Sequence, residues 1–369
     1  MIVIGIYITR EKIYGLKTET TDATDDLRFR VDLAEQVMSN ALITEMVDVG
    51  SIKGESIRRI VALLMKDGVA PDKISIACYG PFSSLNVLDD PSLRKVNNEH
   101  PMIYGQISID APDVPFVGFN LDTLFKTEFG KYGVTERIIF QTDVAASGLA
   151  EWSFRGGVTA ICQNRDYPIP HENLVLLSFR QGVGGAMIDR DGRILNGFLH
   201  PEMGHISLEM HPSDMHSSAN PNGFQSHCTH HKNCVEGLAS EAAFFRRFDY
   251  NPDSFEEVAT DTGNVAWDVH AFYIAQLCAA TTHLFAPTMI VLEGKVFQES
   301  GFLKLVRKHF LKRLGGISDK AYSWYPLIER DDGFLQRPML AEPGLVGAAC
   351  IPAMPQKDGN IVPLEDANA

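Results

Sequence analysis

Twice along this chain, two short β-branched runs are followed by helical spacing, a recurrence that restricts the fold to layered α/β architectures. In the first half, MIVIGIYIT and IYGLKTET read as a hairpin, GESIRRIVALLMK (residues 54–66) as an amphipathic helix, and KISIACYG as a buried strand closed by Gly80-Pro81. RIIFQTDVAASGLAEW passes from strand to helix at Thr142-Asp143. NLVLLSFRQGVGGAMIDRDGRILNG follows as a strand, a glycine turn, a second strand and a hairpin. Beyond residue 237 helices dominate, through GLASEAAFFRRF and VAWDVHAFYIAQLCAATTHLF. MIVLEG is then a short strand, another helix follows, and GLVGAACI is a last apolar segment. Residues 83–115 read as a long surface excursion with a few short strands, and the tail DGNIVPLEDANA as a frayed end.

At 369 residues the chain suits two domains, and 45% hydrophobic with 22% charged residues is a globular composition. A net charge of −14 opposes phosphate backbones and anionic lipid, so neither nucleic acid nor a membrane surface is an expected partner. No apolar run reaches the roughly 18–20 residues of a membrane helix. The start lacks a basic region before its apolar stretch and reads as a first strand, not an export signal. Of the six cysteines, Cys78, Cys162, Cys278 and Cys350 lie scattered in apolar contexts, which predicts a reducing compartment, the cytoplasm.

The other two stand in His-Cys-Thr-His-His-Lys-Asn-Cys, residues 227–234. Steps of three residues let one turn bring Cys228, His231 and Cys234 onto a common ion, and thiolate with imidazole is the usual zinc set. His205, His211, His216, His227 and His230 are all candidates for the fourth ligand. A closed set of four predicts a structural zinc.

Asp143, between an apolar run and a helix, could accept a proton from an attacking hydroxyl or simply cap the helix. Glu202 and His205 are spaced to face one cavity, and Glu236, two residues after Cys234, would be held nearby by a metal clip. Gly182, Gly184 and Gly185 could admit a phosphate or merely a tight hairpin.

Together ISIACYGP, QTDVAASGLAE, GVGGAMIDRDGRILNGFLHPEMGHISL, CTHHKNCVEGLAS, AWDVHAFYIAQ and PGLVGAA resemble the ROK family of sugar kinases and repressors, in particular its bacterial fructokinase branch. The resemblance implies a two-domain actin-like ATPase (ribonuclease H-like) fold with sugar and ATP meeting in the cleft. It implies an N-terminal domain of residues 1–142 completed by about 343–360, and a zinc-bearing domain of residues 143–342. By the same comparison Asp143 is the base, Glu202, His205 and Glu236 contact sugar hydroxyls, and His205 is the fourth zinc ligand. Gly182, Gly184, Gly185 and Gly294 fall on the nucleotide side, and a homodimer is expected. Family repressors carry an N-terminal helix-turn-helix; this chain starts on its first strand, so operator binding is not expected.

The nucleotide side departs from the pattern. The first-strand Asp is Tyr7, and the two following glycines are Thr9 and Arg10. Gly-Thr-Gly is Arg180-Gln181-Gly182, and Gly-Gly-Gly is Glu293-Gly294-Lys295; on the sugar side, an Asn two residues after the base, where it would help hold the sugar, is Ala145. Phosphoryl transfer rests on metal and phosphate positioning, so magnesium-ATP is expected to bind weakly, differently or not at all. Arg10, Lys12, Arg180 and Lys295 would border the vacated position, either as solvated surface charges or as a set that holds an anion such as a sugar phosphate. The sequence therefore carries two functional expectations: an ATP-dependent hexose kinase, or a non-catalytic sensor of a sugar or sugar phosphate.

Overall fold

The computed structural model describes residues 1–20, 33–80, 107, 115–136, 138–161, 173–196, 200–215, 222–248, 254–314 and 333–354. The chain divides into two compact units, Met1–Gln141 with Leu345–Ala369, and Thr142–Gly344.

In the first unit a five-stranded sheet runs in the order β3-β2-β1-β4-β5. β1 (Ile2–Ile8) pairs antiparallel with β2 (Lys12–Glu19) and parallel with β4 (Lys73–Cys78). Helix α1 (Leu33–Ser39) precedes the outer strand β3 (Ala41–Asp48), and α2 is Lys53–Leu64. Helix α3 (Leu121–Gly130) leads to β5 (Ile138–Thr142). The core joins strand residues Ile4, Ile6 and Ile76 to helix residues Ile57, Ile60, Leu64 and Phe125. Lys17 is fully buried, its Nζ donating to Leu64 O, Val69 O and Asp67 Oδ1, so a cation closes the C-terminal end of α2. Near the chain's end, a Cβ on Gly5 would lie 2.3 Å from Ala349 N, so β1 needs glycine where that backbone crosses it.

The second unit repeats the theme. β6 (Leu174–Phe179) pairs antiparallel with β7 (Val183–Ile188) and parallel with β8 (Met289–Glu293), in the order β7-β6-β8-β9. β9 is Leu335–Gln336. Helices α4 (Asp143–Ile161), α5 (Val235–Ala239), α6 (Glu241–Phe245), α7 (Phe255–Val258), α8 (Val265–Phe285) and α9 (Phe302–Arg313) belong to this unit. The final helix α10, Pro343–Cys350, belongs from Leu345 onward to the first unit. In the core, Leu177, Ile290 and Leu292 of the sheet join Phe244, Trp267, Tyr273 and Phe310.

Three sequence expectations change. GLASEAAFFRRF is two short helices, because Ser240 leaves helical geometry and caps α6 through Ala243 N. Elements α1, β3, α3 and β9 had not been read from the sequence. Ile107, expected on the surface, is fully buried; most of residues 83–115, His216, Cys162 and the tail lie outside the described residues.

Candidate functional site

Asp143 stands where β5 gives way to α4. The Thr142 hydroxyl caps the helix by accepting from Ala145 N at 3.1 Å, which relieves Asp143 of the capping role the sequence left open. Asp143 Oδ1 accepts from Val144 N at 2.9 Å, and its side chain is one-fifth exposed. Ala145 itself is buried.

The turn between β6 and β7 lies beside this carboxylate. Arg180 N donates to Gly182 O at 2.9 Å to close the turn, and Arg180 Nη1 lies 3.9 Å from Asp143 Oδ2. Arg180 Nη2 donates to Glu293 Oε1 at 2.5 Å. Ser178 is level with Glu293 in the parallel β6–β8 register, which sets the two strand ends side by side. Burial pushes the Glu293 carboxyl up from its ordinary range, and Arg180 only partly opposes this. Burial raises Glu241 too, against Lys295 and Arg180.

Each glycine of this region is fixed by packing. A Cβ on Gly182 would sit 2.9 Å from Glu236 Oε2, on Gly184 2.8 Å from Val144 Cγ2, and on Gly185 2.3 Å from Met203 Sδ. Gly294 has φ +144°, and a Cβ there would lie 2.3 Å from Phe179 O.

Glu236 Oε2 accepts from Val183 N at 3.2 Å, which brings the acid of α5 to the same turn. Glu202 Oε1 pairs with His200 Nε2 at 2.9 Å, and its Oε2 lies 3.9 Å from His205 Nε2. His200 holds the Glu202 carboxyl below its usual range. His205 turns its other nitrogen, Nδ1, to Cys228 Sγ at 3.9 Å, and His231 Nδ1 lies 3.7 Å from the same sulfur.

One ligand atom from each of His205, Cys228, His231 and Cys234 lies within 4.8 Å of the others. Zinc bonds of about 2.3 Å to sulfur and 2.05 Å to nitrogen give a tetrahedral edge of roughly 3.6 Å, so the cluster fits the ion. A carboxylate behind His205 is the usual support for a ligating imidazole. Among the rival histidines, His211 accepts from Ser213 N through Nδ1 and packs edge-on to Phe272. Burial, with Cys228 alongside, pushes the Cys234 thiol up to about 11 when no metal is bound. Its sulfur also caps α5, accepting from Gly237 N at 3.4 Å.

The first-strand departures lie in the other unit. Tyr7 is buried in β1 and stacked on Tyr14 at 5.8 Å. In the turn that follows, Thr9 N donates to Lys12 O, and Lys12 N to Thr9 Oγ1, so two backbone donors are spent within the turn. Arg10 is exposed there. Sequence reasoning had not singled out His200, nor seen Arg180 and Glu293 as partners. The parallel alignment of two strand ends was the signal for the second.

Among known proteins, a fructokinase of Streptococcus mutans is 28% identical over 264 residues, 70% of this chain and 74% of that protein. The ROK hexokinase of Thermus thermophilus superposes with a TM-score of 0.60 at 18% identity, over 95% of this chain and 97% of its own. A ROK family transcriptional regulator, a homologue of the E. coli Mlc protein, superposes with a TM-score of 0.58 at 18% identity, over 96% and 78%. At these identities the structures establish the fold alone, that of the actin-like ATPase sugar kinases. The ROK family profile matches residues 125–349, well over half of the sequence, so this chain belongs to the ROK family.

Proposed function

We propose that the chain is a fructokinase-like hexose kinase that keeps its base and three sugar contacts, with Ala145 in place of the family's Asn beside the base. Glu202, His205 and Glu236 contact sugar hydroxyls, and Asp143 takes the proton of the attacking hydroxyl. The sugar oxygen bonds to the terminal phosphorus of ATP as the bond to the ADP oxygen breaks. The observation that carries this reading is the hydrogen bond from Val183 N to Glu236, since the same turn also brings Arg180 toward Asp143. His205, Cys228, His231 and Cys234 hold a zinc ion that leaves no position open, so it shapes the site without acting on substrate. The fructokinase relative supports the substrate class. By resemblance the working unit is a homodimer in the cytoplasm.

A second reading, a sugar sensor without phosphoryl transfer, is favoured by the Arg180–Glu293 pair and by the first turn, whose amides bond within the turn. The test is ADP release with magnesium-ATP over a panel of hexoses, run beside calorimetric hexose binding. Turnover that falls about 10²–10⁴-fold in Asp143→Asn while sugar binding persists is the kinase outcome. Hexose binding without ADP release assigns the sensor, and absence of both removes the sugar site.

A further inference from the structure

Ligands of open α/β sheets sit beyond the carboxyl ends of the strands, and in the second unit those of β6 and β8 carry one cation and one buried acid. Arg180 follows the end of β6, and Glu293 is the last residue of β8. The guanidinium side chain is 41% exposed, whereas the carboxylate it holds at 2.5 Å is 10% exposed. Arg180 is anchored by its backbone, its N–H donating to Gly182 O and its carbonyl accepting from Glu241 N. The side chain therefore turns on a fixed base, with a planar fork of five donors suited to phosphate oxygens. Its Nη1, 3.9 Å from Asp143 Oδ2, is too far for a hydrogen bond but within one rotation of the carboxylate that faces the attacking hydroxyl.

We propose that Arg180 is the phosphate-binding residue at this sheet edge, parked on Glu293 when no anion is present, and that its guanidinium itself receives the oxygens of a phosphate-bearing ligand. This deepens the kinase reading by naming how the donor side is recognised, and it rests on that reading for the identity of the acceptor. An incoming anion competes with Glu293 for the guanidinium, and it meets Asp143 and Glu241 as opposing charges with Lys295 as a further cation. Neutralising Glu293 therefore strengthens anion binding, while removing Arg180 weakens it.

The experiment is calorimetric titration of inorganic pyrophosphate in magnesium-free buffer, without chelator, into wild type, Glu293→Gln, Arg180→Lys and the double variant Arg180→Gly/Glu293→Gln. The double variant avoids leaving Glu293 buried and unpaired, so its fold is retained. The expected order is Glu293→Gln tighter than wild type by about five- to tenfold, Arg180→Lys weaker than wild type, and the double variant weaker by at least tenfold. Binding by the double variant equal to or tighter than wild type overturns the proposal and makes the pair a strut between strand ends. So does the absence of pyrophosphate binding to both wild type and Glu293→Gln. Hexose titrated into the same samples separates the two readings, since failure to bind sugar removes the acceptor site and leaves the anion result standing.

Discussion

Glu236 accepts a hydrogen bond from Val183 N at 3.2 Å, and through it the helix that begins at the metal-type cluster is tied to the turn beside Asp143. Cys234 is at once a member of the cluster and the N-cap of that helix. A change at the cluster therefore has a short route to the site, through the first two residues of α5 and the Glu236 carboxylate.

Removal of the metal is the first expectation from this route. The purified chain should carry one zinc by elemental analysis, and Cys228→Ser should carry none. An ion present at about a thousand times its dissociation constant contributes roughly 4 kcal/mol to stability, so the variant should melt lower by several degrees. Hexose affinity should fall about tenfold with it as Glu236 loses its anchor. Unchanged sugar affinity in a zinc-free, folded variant would separate the clip from the pocket.

Gly182→Ala probes the same carboxylate from the other side. The new methyl would stand 2.9 Å from Glu236 Oε2, and the acid, as the end of a flexible side chain, swings aside more cheaply than the backbone moves. The expected result is KM for hexose raised about tenfold with melting temperature nearly unchanged. Gly204→Ala is the contrast, since its methyl would meet Val183 O at 2.0 Å, a backbone atom, and should lower soluble yield instead.

How much of this was legible in sequence follows from the range of each interaction. The zinc-type cluster was readable because three of its members lie within seven residues. The strand-to-helix step at Asp143 was readable because apolar alternation stops there. β3 was not, because an outer strand buries only Ile43 and Val47 and leaves Leu42 and Met46 in solvent. Helix α3 did carry a signal in Leu121, Phe125 and Phe129 at four-residue steps, capped by Asn120. Arg180 and Glu293 are 113 residues apart and meet only because parallel strands end level, so local spacing could not pair them.

A second distant pair sets the position of α4, the helix that starts at Asp143. Glu151 is fully buried, accepts from Met339 N and Leu340 N through one oxygen, and holds Arg155 Nε at 2.8 Å through the other. Arg155 continues to Gln336 and to Arg337 O. Glu151→Ala leaves a buried guanidinium and two backbone donors without their acid, a loss of about 3–5 kcal/mol. Thermal unfolding should shift down by roughly 10 °C. A shift under about 2 °C would mean water replaces the carboxylate without strain.

His270 gives the pH dependence its sign. The imidazole is buried in the second unit's core between Phe244 and Phe302, and Nδ1 meets no hydrogen-bond partner among the described residues. Burial, with Arg247 adding repulsion, holds it well below the ordinary histidine range, so the folded ring stays neutral. The unfolded ring takes up a proton near pH 6.5, and the unfolded state then binds more protons than the native one. Stability contributed by the neutral ring is complete above that value and is lost as pH falls below it. Between pH 7.5 and 5.5 the loss is about 1.4 kcal/mol. Urea unfolding of wild type should show that loss, and His270→Gln, having no group to titrate, should be less sensitive by the same amount. Equal slopes in the two proteins would mean that the native ring accepts the proton, and that the aromatic cage around it opens at mildly acidic pH.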